Sequence, residues 1–199
     1  PSTVAGKQAA AAVGQCELMY IYDKLFSEYN HVVAQTLLTA ADVGDPVRKA
    51  NFTGTMRHLL DMQVLPIVNE NDTVATDEIT EGLIGDNDTL GAIVATSLSA
   101  DLLILLSDID GLFTDDPRTA ADARLIPIVP AITPELVAHA GGKGTQNGTG
   151  GMATKLKAAQ ISMDAGVDMV IANGKDPVIL YDIVDGKPIG TRFLGKERI

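Results

Sequence analysis

The stretch DNDTLGAIVATSLSADLLILLSD, residues 86–108, decides the fold. Its first half, Asp86 to Ser99, reads as a helix. Leu102 to Leu106 is then an unbroken apolar run of strand length, as in a strand buried on both faces, and it stops on the polar pair Ser107-Asp108. The same alternation extends outward in both directions. Upstream, His31 to Leu38 has the β-branched and apolar content of a strand, and Asp45-Pro46 opens a helix with an N-cap acid and Pro at the first helical position. That helix is expected to run to about Met62. Gln63 to Val68 reads as a second buried strand, ending in Asn69-Glu70-Asn71-Asp72. Nearer the chain start, Leu18, Ile21, Tyr22, Leu25, Phe26 and Tyr29 recur at helical spacing, with Asp23, Lys24, Ser27 and Glu28 between them, which predicts a long amphipathic helix. Downstream, Ser107 to Arg118 is a polar turn region containing Gly111 and Pro117, and Gly141 to Gly151 is a glycine-dense loop. Met152, Leu156, Ala159 and Met163 then mark a helix closed by Gly166, followed by a strand from Val167 to Ala172. Strands alternating with helices imply an α/β fold of parallel βαβ units, with a sheet covered on both faces. No repeat, linker or composition shift marks a second domain, so residues 1–199 are expected to form one.

Composition narrows the function. The 199 residues are 46% hydrophobic and 21% charged, with 26 acidic against 15 basic residues and a net charge of −11. That sign disfavours nucleic acid and anionic membranes as partners. Aromatics reach 4%, without Trp, which leaves few rings for stacking bases. Cys16 is the single cysteine, so no intrachain disulfide forms; it is expected to be buried in its apolar-periodic stretch, in a chain of the reducing cytoplasm. The apolar runs are far shorter than the about 20 residues of a membrane span, and no signal-peptide pattern opens the chain.

Ligands of open α/β sheets sit outside the carboxyl ends of the strands. Asn69-Glu70-Asn71-Asp72 and Ser107-Asp108 lie at such ends, and the glycine loop precedes a helix. In Gly148-Thr149-Gly150-Gly151-Met152-Ala153-Thr154-Lys155, glycines let backbone N–H groups approach phosphate oxygens. The helix N-terminus and Lys155 add positive charge, which makes a phosphate cradle. Lys157 lies about 200° round the helix from Lys155, so only one of the two can face a phosphate. Neither Gly6-Lys7-Gln8 nor Gly142-Lys143-Gly144 completes a Walker A motif. Gly148-x-Gly150-x-x-Ala153 fits a loose dinucleotide fingerprint, but it does not follow a strand, and Asp168 opens its strand instead of closing it. An EF-hand fails at Leu90, and His31, His58 and His139 are isolated. Asp72, Asn87 and Asp88 adjoin strand or helix ends, where their side chains could receive an ammonium group or orient a lysine.

Pro66-Ile67-Val68-Asn69-Glu70-Asn71-Asp72, Gly85-Asp86-Asn87-Asp88, the run Leu106 to Arg118 and Gly148 to Lys155 together resemble, in the same order, the glutamate-phosphorylating members of the amino acid kinase family. Gly6-Lys7-Gln8 to Val13-Gly14-Gln15 is similar as well, and the resemblance extends from about Lys7 to Phe193. It implies a three-layer αβα sandwich with a mostly parallel central sheet. The implied activity is transfer of the ATP γ-phosphoryl group to the side-chain carboxylate of L-glutamate, the first step toward proline. By the same resemblance Asp72 and Asn87 bind glutamate, with Asn69 nearby. Ser107, Asp108 and the run Thr149, Gly150, Gly151, Met152, Ala153, Thr154 and Lys155 line the ATP site. Lys155 stabilises the transferring phosphoryl group and Asp88 orients positive charge. The chemistry agrees: a carboxylate of pKa about 4.3 is already ionised and needs no general base. Lysine, backbone N–H groups and Mg²⁺ arriving with ATP then carry the work, with no metal site built by the protein. Feedback inhibition by proline and a homo-oligomer are further expectations.

Family members open with a strand, a Lys-x-Gly-Ser turn and a Ser-Ser-Gly-Ala-like turn. This sequence contains none of these, so it is expected to lack the N-terminal strand and phosphate turn, and to be inactive as the isolated 199 residues. No RNA-binding-like domain is expected after Phe193. Two other readings stand beside the leading one: a relative acting on a different carboxylate or carbamate, and a non-catalytic amino-acid-binding subunit.

Overall fold

The computed structural model describes residues 3–75, 86–140 and 151–197. The chain divides into two compact units, residues 1–90 and 91–199. The first contains helix α1 (Val4–Ser27), strand β1 (Val33–Leu38), helices α2 (Ala40–Gly44) and α3 (Pro46–Asp61), and strand β2 (Leu65–Glu70). Helix α4 (Asn87–Ser97) begins in this unit and ends in the second. The second unit continues with β3 (Leu102–Ser107), β4 (Ile128–Val129), α5 (Pro134–Ala140), α6 (Gly151–Asp164), β5 (Asp168–Asn173), α7 (Ile179–Val184) and β6 (Thr191–Phe193).

In the first unit β1 and β2 pair in parallel, Val33 opposite Leu65 through Leu38 opposite Glu70. The helix before β2 starts as its sequence requires: Pro46 occupies the first turn, and the Asp45 carboxylate accepts the Arg48 N–H at 2.8 Å. Two strands begin later than expected, for a backbone reason. Asn30 and Gln63 have φ of 60° and 59°. The left-handed turns at these residues close α1 and α3, and extended chain starts only beyond them.

The amphipathic face of α1 also differs from expectation. Its half-buried line runs through Gln8, Ala11, Gln15, Met19, Tyr22 and Phe26, and the Tyr22 and Phe26 rings stack with centroids 6.2 Å apart. Leu18, Ile21, Leu25 and Tyr29 are exposed, at 37–76%. The covered seam keeps a three-and-four spacing but is rotated round the helix, and one of its members, Gln15, donates its Nε2 to Gln35 Oε1 of β1 at 3.1 Å. Cys16, expected to be buried, lies off the seam and is exposed.

The second unit shows how an apolar strand is covered on both faces. Its sheet has the order β3-β5-β6-β4, parallel except between β5 and β6. Along β5, Met169 and Ile171 join a core cluster with Leu156, Ala159 and Met163 of α6 and Ala92 of α4. The alternate residues Val170 and Ala172 pack with Ile183 of α7. Strand β3 divides in the same way, Leu103 and Leu105 to one side, Leu102 and Ile104 to the other. Met169, Ile171 and Phe193 are fully buried, and each such side chain contributes about 1.5–3 kcal/mol. Gly166, at φ 74°, ends α6 as its sequence predicts, and the Val167 N–H donates back to Ser162 O at 2.9 Å. Val167 therefore closes the helix, and the strand starts at Asp168.

Candidate functional site

Each unit carries a cavity edged by polar residues at the carboxyl ends of its strands. In the first, a space of about 210 Å³ is bounded by Gly14, Gln15 and Leu18 of α1, Leu37 of β1, and the run Asn69, Glu70, Asn71, Asp72 and Thr73. The cavity exists because the chain turns immediately after β2. The Asn71 N–H still donates to Leu38 O at 2.8 Å, extending the ladder by one step, while Val74 and Ala75 N–H groups return to Asn71 O. This turn presents Asn69 and Asp72 to the same space. Asn69 is held from two sides: its Oδ1 accepts the Glu70 N–H at 2.9 Å, and its Nδ2 donates to Gln15 Oε1 at 3.0 Å. Gln15 Nε2 in turn donates to Gln35. In the sequence Gln15 has a place in the family resemblance but no role at the site, although a polar residue on the covered seam of an amphipathic helix is the signal that marks it. Asp72 is exposed, free to meet a ligand in water.

Asn87 and Asp88 do not line this cavity. They open α4, whose N-cap is Asp86: its carboxylate accepts the Thr89 N–H at 2.8 Å and the Thr89 hydroxyl at 3.0 Å. Thr89 is fully buried, so this bond anchors the helix start. Asp88 in the first turn suits the positive end of the helix dipole. The intervening acidic loop, 76–85, lies outside the described residues.

In the second unit a cleft of about 520 Å³ is lined by Leu106, Ser107 and Asp108 at the end of β3 and by Asn173, Gly174 and Lys175 at the end of β5. Ser107 Oγ donates to Asp108 Oδ1 at 3.2 Å. The two residues expected on the nucleotide side after this strand thus share one concave surface. Asn173 and Lys175, on its other wall, were missed; a polar residue closing an apolar strand is the same signal that selects Ser107 and Asn69. The phosphate-cradle residues divide. Thr149 and Gly150, with Gly148, lie outside the described residues. Gly151 opens α6, Ala153 is exposed, Thr154 donates its hydroxyl to Gly151 O at 3.1 Å, and Met152 packs on the core. Lys155 is half-buried and Lys157 exposed, as their different faces of the helix require.

Asp168 leaves the dinucleotide alternative without its acid. Arg192 Nε and Nη2 donate to its Oδ2 at 2.8 and 2.7 Å, and the Gly195 N–H donates to its Oδ1 at 2.8 Å. Among the described residues no group of three or more His, Cys, Asp or Glu could hold a metal ion, and no helix is long and apolar enough to cross a membrane.

The model of the family described as "Amino acid kinase family" matches residues 2–173. A glutamate 5-kinase of Clostridium perfringens is 52% identical over 198 residues, covering 99% of this chain and 74% of that protein. A glutamate 5-kinase of Listeria monocytogenes is 50% identical, covering 99% of this chain and 72% of that protein. Among solved structures, carbamate kinase from Giardia lamblia bound to AMP-PNP superposes with a TM-score of 0.64 over 97% of this chain and 79% of its own, at 18% identity. UMP kinase from Bacillus anthracis does so with 0.57 over 99% and 67%, at 16% identity.

Proposed function

The chain belongs to the amino acid kinase family, with its αβα fold, and on that premise we propose that it is an ATP-dependent kinase acting on the side-chain carboxylate of L-glutamate. The product is L-glutamyl 5-phosphate, on the way to proline. The observation that carries this reading is the pairing of two strand-end cavities, one lined by Asn69 and Asp72, the other by Ser107 and Asp108, in a chain about half identical to glutamate 5-kinases.

In the substrate cavity the exposed Asp72 carboxylate receives the ammonium group of glutamate. Asn69 is oriented beside Asp72, and Asn87, which opens α4 and is not part of the cavity lining, offers a further amide to the substrate. The γ-carboxylate is ionised at neutral pH, so it attacks the γ-phosphorus without a general base, and the bond from the γ-phosphorus to the β–γ bridging oxygen breaks as ADP leaves. Phosphoryl transfer then demands alignment and neutralisation of charge on the non-bridging oxygens. Lys155 supplies a compact cation, the α6 N-terminus supplies N–H groups, and Asp88 orients positive charge. Mg²⁺ carried on the ATP phosphates supplies further charge neutralisation; one or two protein carboxylates suffice for such an ion, and Asp108 in the cleft is a fitting donor. The apolar residues exposed on α1, among them Leu18, Ile21 and Leu25, support a homo-oligomer. The protein acts in the cytoplasm.

The test is an acceptor panel for the full-length protein with Mg·ATP: L-glutamate, L-aspartate, N-acetyl-L-glutamate and carbamate. ADP release with L-glutamate well above the others is expected. Preference for carbamate or an N-acylated acceptor would contradict the assignment.

A further inference from the structure

The nucleotide cleft has two walls, and one side chain joins them. Strands β3 and β5 run parallel with Ser107 opposite Asn173, so both segments leave the sheet side by side. The Gly174 N–H donates to Ser107 O at 2.8 Å. A Cβ at Gly174 would lie 3.0 Å from Leu106 Cβ, so the turn after β5 is seated directly on β3. Asn173 then uses each end of its amide on a different segment. Its Nδ2 donates to Asp110 Oδ1 at 2.8 Å, and its Oδ1 accepts the Lys175 N–H at 3.0 Å. Reversing the amide would set its oxygen against a carboxylate and its NH₂ against an N–H, so the partners fix its orientation.

Both bonds are exposed, where exchange with water leaves a hydrogen bond little net effect on stability. Their consequence is geometric. The Asp110 bond fixes the segment carrying Ser107 and Asp108, and the Lys175 bond fixes the turn that brings a cation to the same cleft. We propose that Asn173 is a positioning residue for the nucleotide, holding these two walls at the separation that a Mg·ATP-sized ligand fills. The inference rests on the reading of this cleft as the ATP site, and the volume of about 520 Å³ falls within the usual span of small-molecule pockets.

Calorimetric titration of the full-length protein with Mg·AMP-PNP, alongside its melting temperature, tests this. Asn173→Asp places a carboxylate against Asp110 and is expected to raise the Kd roughly tenfold or more with little change in Tm. Asn173→Ala removes the clasp without adding charge and is expected to fall between Asn173→Asp and the parent. The double variant Asn173→Asp/Asp110→Asn restores an amide–carboxylate bond with the roles exchanged, keeps the net charge, and should recover most of the affinity. An unchanged Kd in Asn173→Asp, or a loss that the double variant does not recover, overturns the proposal. Phosphorylation of glutamate is scored separately in the parent protein. If transfer is absent while Mg·AMP-PNP still binds and the exchange still rescues, the acceptor reading fails and the role of Asn173 stands. A parent that does not bind Mg·AMP-PNP overturns both.

Discussion

Lys155 and Lys157 stand two residues apart on one helix and differ in surroundings, the first half-buried and the second exposed. If Lys155 meets charge that develops in the transition state, Lys155→Met lowers kcat by roughly 10²-fold or more, with a smaller change in the KM for ATP. Lys155→Arg restores activity only in part, because a planar fork does not replace a compact ammonium. Lys157→Met is the control and should be close to neutral; equal losses in steady-state kinetics at both positions would mean damage to the helix. On the acceptor side, Asp72→Ala should raise the KM for glutamate far more than that for ATP. The reverse split would move the turn after β2 to the nucleotide side. Both residues could be singled out as candidates in the sequence because each stands beside a break in the apolar pattern. Gln15 and Asn173 were not, since their importance lies in partners far along the chain: Gln35 and Asn69 for the one, Asp110 for the other.

Among the elements, β6 carries a tie that positions the loop after β3. Thr191 is fully buried; its Oγ1 accepts the Leu112 N–H at 2.8 Å and donates to Ile126 O at 2.7 Å. Gly111, at φ 152°, approaches so closely that a Cβ would lie 2.6 Å from that hydroxyl. Thr191→Val keeps the shape and leaves a buried N–H unpaired, so thermal unfolding should show a loss of about 1–3 kcal/mol. Helix α2 offers a pH test. The Thr39 hydroxyl and N–H, bonded to the Asp42 carboxylate, hold its pKa below the ordinary value. A depressed folded pKa stabilises the protein above the unfolded value and ceases to do so as pH falls through the folded one. Asp42→Asn should therefore lower Tm at neutral pH and lessen its fall on acidification; a parallel acid limb would remove Asp42 from the account. The long elements with regular patterns, α3, α4, α6, β3 and β5, could be read from the sequence. Helices α2, α5 and α7 and strands β4 and β6 could not, because two to seven residues hold no full period, and pairing partners form them. Strand β4 exists only because Ile128 and Val129 pair with Arg192 and Phe193.

At the scale of the molecule, the net charge of −11 sets the problem that the local structure answers. Both proposed substrates are anions, so binding depends on concentrated donors, here Lys155, Lys175 and the α6 N-terminus, within an acidic chain. The proposed division of labour follows the two compact units: the turn after β2 lines the cavity assigned to the acceptor, and the ends of β3 and β5 line the cleft assigned to the nucleotide. The alternation of helix and apolar strand made the α/β class readable, whereas the walls of each cavity come from segments distant in sequence and needed the structure. The central claim is that phosphate is transferred from ATP to the γ-carboxylate of glutamate. Incubating the full-length protein with Mg·ATP, L-glutamate and hydroxylamine, then identifying the trapped product by mass spectrometry, tests it most directly. The account predicts γ-glutamyl hydroxamate, formed only when ATP and glutamate are both present and stoichiometric with ADP; ADP release without hydroxamate, or trapping at the α-carboxylate, would contradict it.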